Sequence, residues 1–263
     1  MTQSLQRFRL TGLEFMAAWT ELNEEYVPPP LSYTARAQYK DDHDRELRAA
    51  RSELRRRWGN WLTPVLEDIA RPDIRILVRG LDGVRPDNPR RCIRMLGARK
   101  GDRAFLINQE IGETTWHANA FTITEHTAVG LADAIVDALP KAEPGKQPDV
   151  VLAAPRTDEI DYEYGQSAVL DSFEDTVGTR AAWFENAQTT LTGTIELEQA
   201  YSRFGPRGKV RRFLQWRDLT DDGRYALVPG NPVTAVGADA RRMVALINTE
   251  LVEMVRAIKD ERV

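Results

Sequence analysis

The chain has 263 residues and a formal charge of -4, from 36 basic and 40 acidic side chains, with Cys92 as its one cysteine. That length serves one large domain or two small ones and can bury roughly three quarters of the unfolded chain's surface. The near balance of charge excludes a global field that draws the protein to nucleic acid or an anionic membrane. A lone cysteine excludes an intramolecular disulfide and a thiolate metal cluster, which fits a reducing compartment.

Residues 1–10 lack the unbroken apolar run of a signal peptide, and no later stretch approaches the roughly 20 apolar residues that cross a bilayer. The expected location is therefore the cytoplasm. Leu13, Phe15, Met16, Trp19 and Leu22 recur at helical spacing before Pro28-Pro29-Pro30 ends the segment. Over 39–58, Leu47, Ala50, Leu54 and Trp58 form a narrow apolar stripe on an arginine-rich helix. Pro64 suits the first turn of a third helix, which Pro72 terminates.

The period then changes to two: Ile74, Ile76 and Val78 alternate with Arg75, Leu77 and Arg79, a strand. Two more strands, at 92–98 and 103–108, join through Arg99-Lys100-Gly101-Asp102 as a hairpin. After a strand near 116–123, Thr124 is expected to cap a helix whose Ala128, Leu131, Ala132, Ile135 and Leu139 share a face before Pro140. Residues 141–148 read as a linker between halves of about 1–145 and 146–263 within one domain.

The second half opens with a strand at 150–153, followed by a stretch, 157–179, without lysine or arginine. A helix carrying Ala181, Trp183, Phe184 and Ala187 comes next. Ile195, Leu197 and Tyr201 then alternate with polar residues, a half-solvated strand that suits antiparallel pairing. Strands at 210–217 and 224–228 flank the turn Asp221-Asp222-Gly223. Met243, Ile247, Leu251, Met254 and Ile258 form the stripe of a last helix. Hairpin, short strand and amphipathic helix thus occur once in each half, an internal repeat that predicts a pseudo-twofold axis across one sheet.

Chemistry-bearing patterns are sparse. His43, His117 and His126 have no partner at metal-ligand spacing. Cys92 is expected mid-strand as core packing, and no G-x-S-x-G elbow occurs. Gly205-Pro206-Arg207-Gly208-Lys209 lacks the spacing of a phosphate-binding loop. Asp158, Glu159, Asp161 and Glu163 read as a solvated connection rather than paired catalytic carboxylates. No catalytic, cofactor or metal residues are assigned, and the expectation is a protein that is not an enzyme. The one alternative surface is basic and aromatic: Arg203, Phe204, Arg207, Lys209, Arg211, Arg212, Phe213, Trp216 and Arg217, a nucleic-acid site in form. Arg211, Phe213, Gln215 and Arg217 share one strand face while Val210, Leu214 and Trp216 share the other, so part of its aromatic content belongs to a core.

Several short motifs resemble a known family. They are Leu10-Thr11-Gly12-Leu13-Glu14-Phe15 before a Trp-bearing helix, Asp102-Arg103-Ala104 heading a strand, and Leu131-Ala132-Asp133-Ala134-Ile135 before Leu139-Pro140. Tyr201-Ser202-Arg203, Trp216-Arg217-Asp218, Asp222-Gly223-Arg224-Tyr225 and Ala238-Asp239-Ala240 follow. Together they resemble the EspG family, secretion-associated chaperones of actinobacterial ESX (type VII) systems. The resemblance implies an α+β fold with a quasi-twofold central antiparallel sheet and flanking helical bundles, without a cofactor. It also implies a function: binding the tip of a PPE protein in a PE-PPE heterodimer, keeping it soluble and escorting it to secretion. A WXG100-like helical client and a homodimer both stay open. Carried onto this chain, the implied contact comprises Leu81, Asp82, Gly83, Val84, Arg85 and Arg91 of the loop 80–91, with Trp183, Phe184 and the last helix. Gly, Pro and Asp keep such a loop adaptable and soluble while Leu81 and Val84 offer apolar contact.

Overall fold

A computed structural model describes residues 6–152 and 172–262. Its first strand, β1 (Arg7–Thr11), runs directly into α1 (Gly12–Thr20). Thr11 makes the turn by a capping box: its hydroxyl accepts the Glu14 amide at 3.2 Å while the Glu14 carboxylate accepts the Thr11 amide at 2.7 Å. Helix α2 (Lys40–Trp58) lays Leu47 and Ala50 against Ala17, and α3 (Leu62–Ala70) buries Leu62, Val65, Leu66 and Ile69.

The remaining strands of the first half are β2 (Ile74–Asp82), β3 (Ile93–Lys100), β4 (Arg103–Ile111) and β5 (Ala118–Thr127), closed by α4 (Leu131–Ala138). The second half contributes β6 (Val150–Leu152), α5 (Ser172–Asn186), β7 (Thr189–Gln199), β8 (Arg211–Leu219), β9 (Arg224–Val228), β10 (Val233–Gly237) and α6 (Ala240–Arg262). The ten strands among the described residues form one sheet in the order β1-β5-β4-β3-β2-β7-β8-β9-β10-β6, each neighbouring pair antiparallel. The halves meet at β2 and β7, where Ile76 pairs with Leu197 and Val78 with Ile195.

Alternation along the strands divides the core between two faces. On one face Ile74, Ile76, Val78, Met95, Ile195, Leu197, Leu214 and Trp216 pack beneath α4 and α6, so this layer crosses both halves. On the other, α1 and α3 cover Leu77, Leu96, Phe105, Ile107, Phe121 and Ile123, while α5 covers Tyr225 and Ala235 at the far side. Each fully buried Leu, Ile or Phe contributes roughly 1.5–3 kcal/mol of hydrophobic stabilisation, so the two layers rather than local propensity hold the sheet. Among the described residues no helix is long and apolar enough to cross a membrane.

Several elements differ from expectation. β1 is an added edge strand, paired with β5 through Phe8–Ile123 and Leu10–Phe121. Thr124 caps no helix; it lies inside β5 opposite Leu106, and the chain leaves the sheet through a 3-10 turn at Ala128–Gly130. Trp116 precedes β5 in an exposed turn, and Cys92 sits half-buried just ahead of β3 rather than within it. β7 ends at Gln199, whose buried amide takes the inward position, leaving Tyr201 at 78% exposure in the following turn. Ala187 lies beyond the end of α5. The stretch 141–148 is pinned rather than free. The Arg224 amide donates to the Glu143 carbonyl at 2.7 Å, Gly145 donates to the Arg224 carbonyl at 2.9 Å, and the Gln147 amide donates to the Tyr225 hydroxyl at 3.0 Å. The acidic residues Asp158, Glu159, Asp161 and Glu163 lie outside the described residues.

Candidate client-binding site

The loop after β2 is a folded unit built around Asp82. One carboxylate oxygen accepts the amides of Val84 at 2.9 Å and Arg85 at 3.0 Å, and the other accepts the Asn88 side-chain amide at 2.8 Å. These hydrogen bonds, the Arg85 amide first, with the Arg91 guanidinium 3.7 Å away, hold the Asp82 carboxyl well below the usual range, at about 2. Bonding to its own following amides is what an Asp in a turn offers the backbone. Asn88 in turn caps the 3-10 turn Pro89–Arg91.

Gly83 ties this unit to the second half. Its amide donates to the Thr190 carbonyl at 3.1 Å, and a Cβ there would stand 2.1 Å from the Thr189 carbonyl oxygen. The close approach coincides with a β-bulge in β7 between Thr189 and Leu191. Arg91 reaches the same place, donating to the Thr190 carbonyl at 3.3 Å. Asp82 and Gly83 are therefore scaffolding. The side chains presented outward are Val84, 63% exposed, Leu81, 39% exposed, and Arg85.

Helix α5 ends against the same bulge. Trp183 is 39% exposed, whereas Phe184 is 1% exposed, with its ring edge-on to Tyr225 at 5.3 Å. Phe184 positions the helix rather than facing solvent. Arg217 of β8 locks the arrangement: it donates to the Thr189 hydroxyl at 2.8 Å and to the Phe184 carbonyl at 3.3 Å, and stacks over the Phe184 ring at 5.0 Å. Burial pushes its pKa down. The predicted loop and the predicted helix, separated by about a hundred residues in sequence, thus meet through Thr189, Thr190 and Arg217.

A strip of sheet continues from that junction, and sequence inspection missed it. On the face between α3 and α5, Leu81 lies opposite Thr192, Arg79 opposite Thr194, and Leu77 opposite Glu196. β8 extends the rows with Arg217, Gln215 and Phe213. Arg79 and Glu196 pair at 3.4 Å, and Phe213 stands 50% exposed. The registry of β7 with β2 and with β8 assembles these residues. No local pattern could have revealed it.

Much of the basic segment 203–217 is engaged by neighbouring groups. Glu198 accepts Arg211 at 3.1 Å and lies 3.9 Å from Lys209, Glu250 lies 3.8 Å from Arg212, and Arg217 is half-buried as above. Leu214 and Trp216 belong to the core. Among the described residues no group of three or more His, Cys, Asp or Glu side chains is placed to hold a metal ion. His126 is buried against Thr124 at 2.8 Å, and desolvation pushes its pKa down.

No curated protein matches the chain. Among solved structures, it is similar to the Mycobacterium tuberculosis type VII secretion system chaperone EspG5, solved in complex with a PE25-PPE41 dimer. The TM-score is 0.61 at 14% identity, over 94% of this chain and 96% of that one. At such identity the likeness concerns the fold. The sequence profile of the EspG family matches residues 11–249, nearly the whole length, and the chain belongs to the EspG family.

Proposed function

We propose that this protein is a cytosolic type VII secretion chaperone that holds a PE-PPE heterodimer and acts by binding alone, with no chemical step and no cofactor. The observation that carries the reading is the junction at Thr189–Thr190. It ties the loop that presents Leu81 and Val84 to the strand end that follows α5, the helix of partly exposed Trp183, in a chain of a family whose structural relative was solved with a PE25-PPE41 dimer. Small exposed aliphatic and aromatic anchors set in a polar rim suit the apolar tip of a helical partner. Arg85, Arg79 and Glu196 supply the rim, and Phe213 extends the apolar area along the sheet.

The two halves read as copies of one unit. β2-β3-β4-β5 followed by α4 corresponds in order to β7-β8-β9-β10 followed by α6, with β1 and β6 as the outer strands. An axis between β2 and β7 relates them, and only the second half carries the α5 site. The test is recovery of partners from the native cytosol with tagged protein and mass spectrometry. Recovery of a PE-PPE pair that is lost with Val84→Asp supports the reading. Recovery of a WXG100-like protein instead, or of nucleic acid, refutes the client assignment.

A further inference from the structure

A cleft of about 510 Å3 lies at the opposite end of β2 and β7 from the loop, walled by the end of α3, the β3–β4 hairpin and the last turns of α6. Four cationic side chains line it, Arg71, Arg75, Lys100 and Arg203, against two carboxylates, Asp73 and Glu261. Charge alone would be unremarkable if these groups neutralised one another. They do not.

Glu261 is consumed by the turn after β7: it accepts the Ser202 hydroxyl at 2.7 Å, the Gln199 side-chain amide and the Arg203 main-chain amide. Those bonds, led by Gln199, keep it ionised below its ordinary range. Asp73 accepts the Gly101 amide at 2.9 Å. Arg75 donates one terminal nitrogen to the Ala70 carbonyl at 3.0 Å, and its Nε is buried with no partner. Lys100 donates to the Arg71 carbonyl at 2.6 Å, and Arg203 to the Glu261 carbonyl at 2.7 Å. The printed bonds of Arg75, Lys100 and Arg203 thus run to main-chain carbonyls.

We propose that this cleft binds a small phosphate-bearing molecule, its oxyanion held by Arg75, Lys100 and Arg71 and its organic part against the exposed ring of Tyr201. The volume falls within the range of small-ligand sites, roughly 300–1,000 Å3, and exceeds what a lone phosphate fills. Guanidinium forks match phosphate oxygens in pairs, with lysine as a point charge beside them. Because Ile258 and Glu261 of α6 form one wall, occupancy also clamps the last helix onto the sheet.

The test uses the full chain with inorganic pyrophosphate as probe, by calorimetric titration and thermal shift at low salt. Saturable binding that raises Tm is expected, weakened about tenfold by Arg75→Gln and by Lys100→Ala, as for the loss of one charge-assisted hydrogen bond. Arg75 also supports the end of α3, so the exposed Lys100→Ala variant decides if Arg75→Gln unfolds. Arg48→Ala, on the outer face of α2, should bind as wild type. Absence of saturable binding at millimolar pyrophosphate, or equal weakening by Arg48→Ala, overturns the proposal.

Discussion

The junction between loop and second half makes Gly83→Ala a demanding test. The added methyl would sit 2.1 Å from the Thr189 carbonyl oxygen and 2.6 Å from its carbon. Both are backbone atoms in a paired strand, so the loop must retreat by about an ångström to reach ordinary contact distance. That movement lengthens the Gly83–Thr190 bond and pulls Arg91 from the same carbonyl. Overpacking of this kind costs about 1–3 kcal/mol, which raises local opening about 5- to 150-fold. The assay is native-state hydrogen exchange at the Val84 and Arg85 amides, which Asp82 holds. Tm should fall by about 2–12 °C, since a chain of this size loses about 2–4 °C per kcal/mol. Client affinity should fall with the loss of protection. Wild-type protection at Val84 and Arg85 in the variant would refute the steric reasoning.

Asp218 and Arg224 form a buried bidentate pair at 2.7 and 2.8 Å, so Asp218→Ala strands a guanidinium and should cost about 3–5 kcal/mol in urea unfolding. Replacing both, Asp218→Leu with Arg224→Met, should restore most of that loss. The depressed Asp82 pKa makes the loop's order acid-sensitive: its contribution is complete above the unfolded value near 3.9 and is lost as pH falls through about 2. Exchange protection at Val84 should therefore hold from pH 7 to 5 and decline below about 4, and Asp82→Ala should show the acid behaviour at neutral pH. Phe184→Ala, emptying a buried site, should cost about 3–5 kcal/mol, measured by denaturation. Trp183→Ala should cost about 1 kcal/mol, mostly its contact with the Phe184 and Tyr225 rings, yet weaken client binding.

Most of the fold was legible in the sequence because periodicity reports burial directly. Ile74, Ile76 and Val78 mark β2, and Met243 to Ile258 mark α6, since each faces a layer that cannot tolerate polar groups. The errors fall where two signals compete. Phe8 and Leu10 do alternate, but five residues ending at a helix cap read as the approach to α1 rather than as an edge strand. Thr124 has a cap's chemistry and a strand's shape, and its pairing with Leu106 decides for the strand. Tyr201 kept the parity of Ile195 and Leu197, but the strand had already ended at Gln199, whose bond to Tyr201's carbonyl turns the chain.

The site was half legible. Leu81 and Val84 stand out as apolar residues in a polar loop, and Trp183 as an aromatic on a weakly amphipathic helix. Which neighbours face outward was not readable: Phe184 is one residue from Trp183 and points the opposite way, and Gly83 matters through the Thr189 backbone rather than through flexibility. Arg217 and the strip from Arg79 to Phe213 depend on long-range registry between β2, β7 and β8.

The central claim is that an EspG-family chain grips a PE-PPE heterodimer through the Val84 loop, and affinity for a purified heterodimer measures it most directly. Titration calorimetry with wild type and Val84→Asp, both checked for equal Tm, is the experiment. The account predicts saturable binding by wild type and at least about tenfold weaker binding by the variant, as for truncation of a central contact. Equal affinity of the two proteins, or no binding by either, would contradict it.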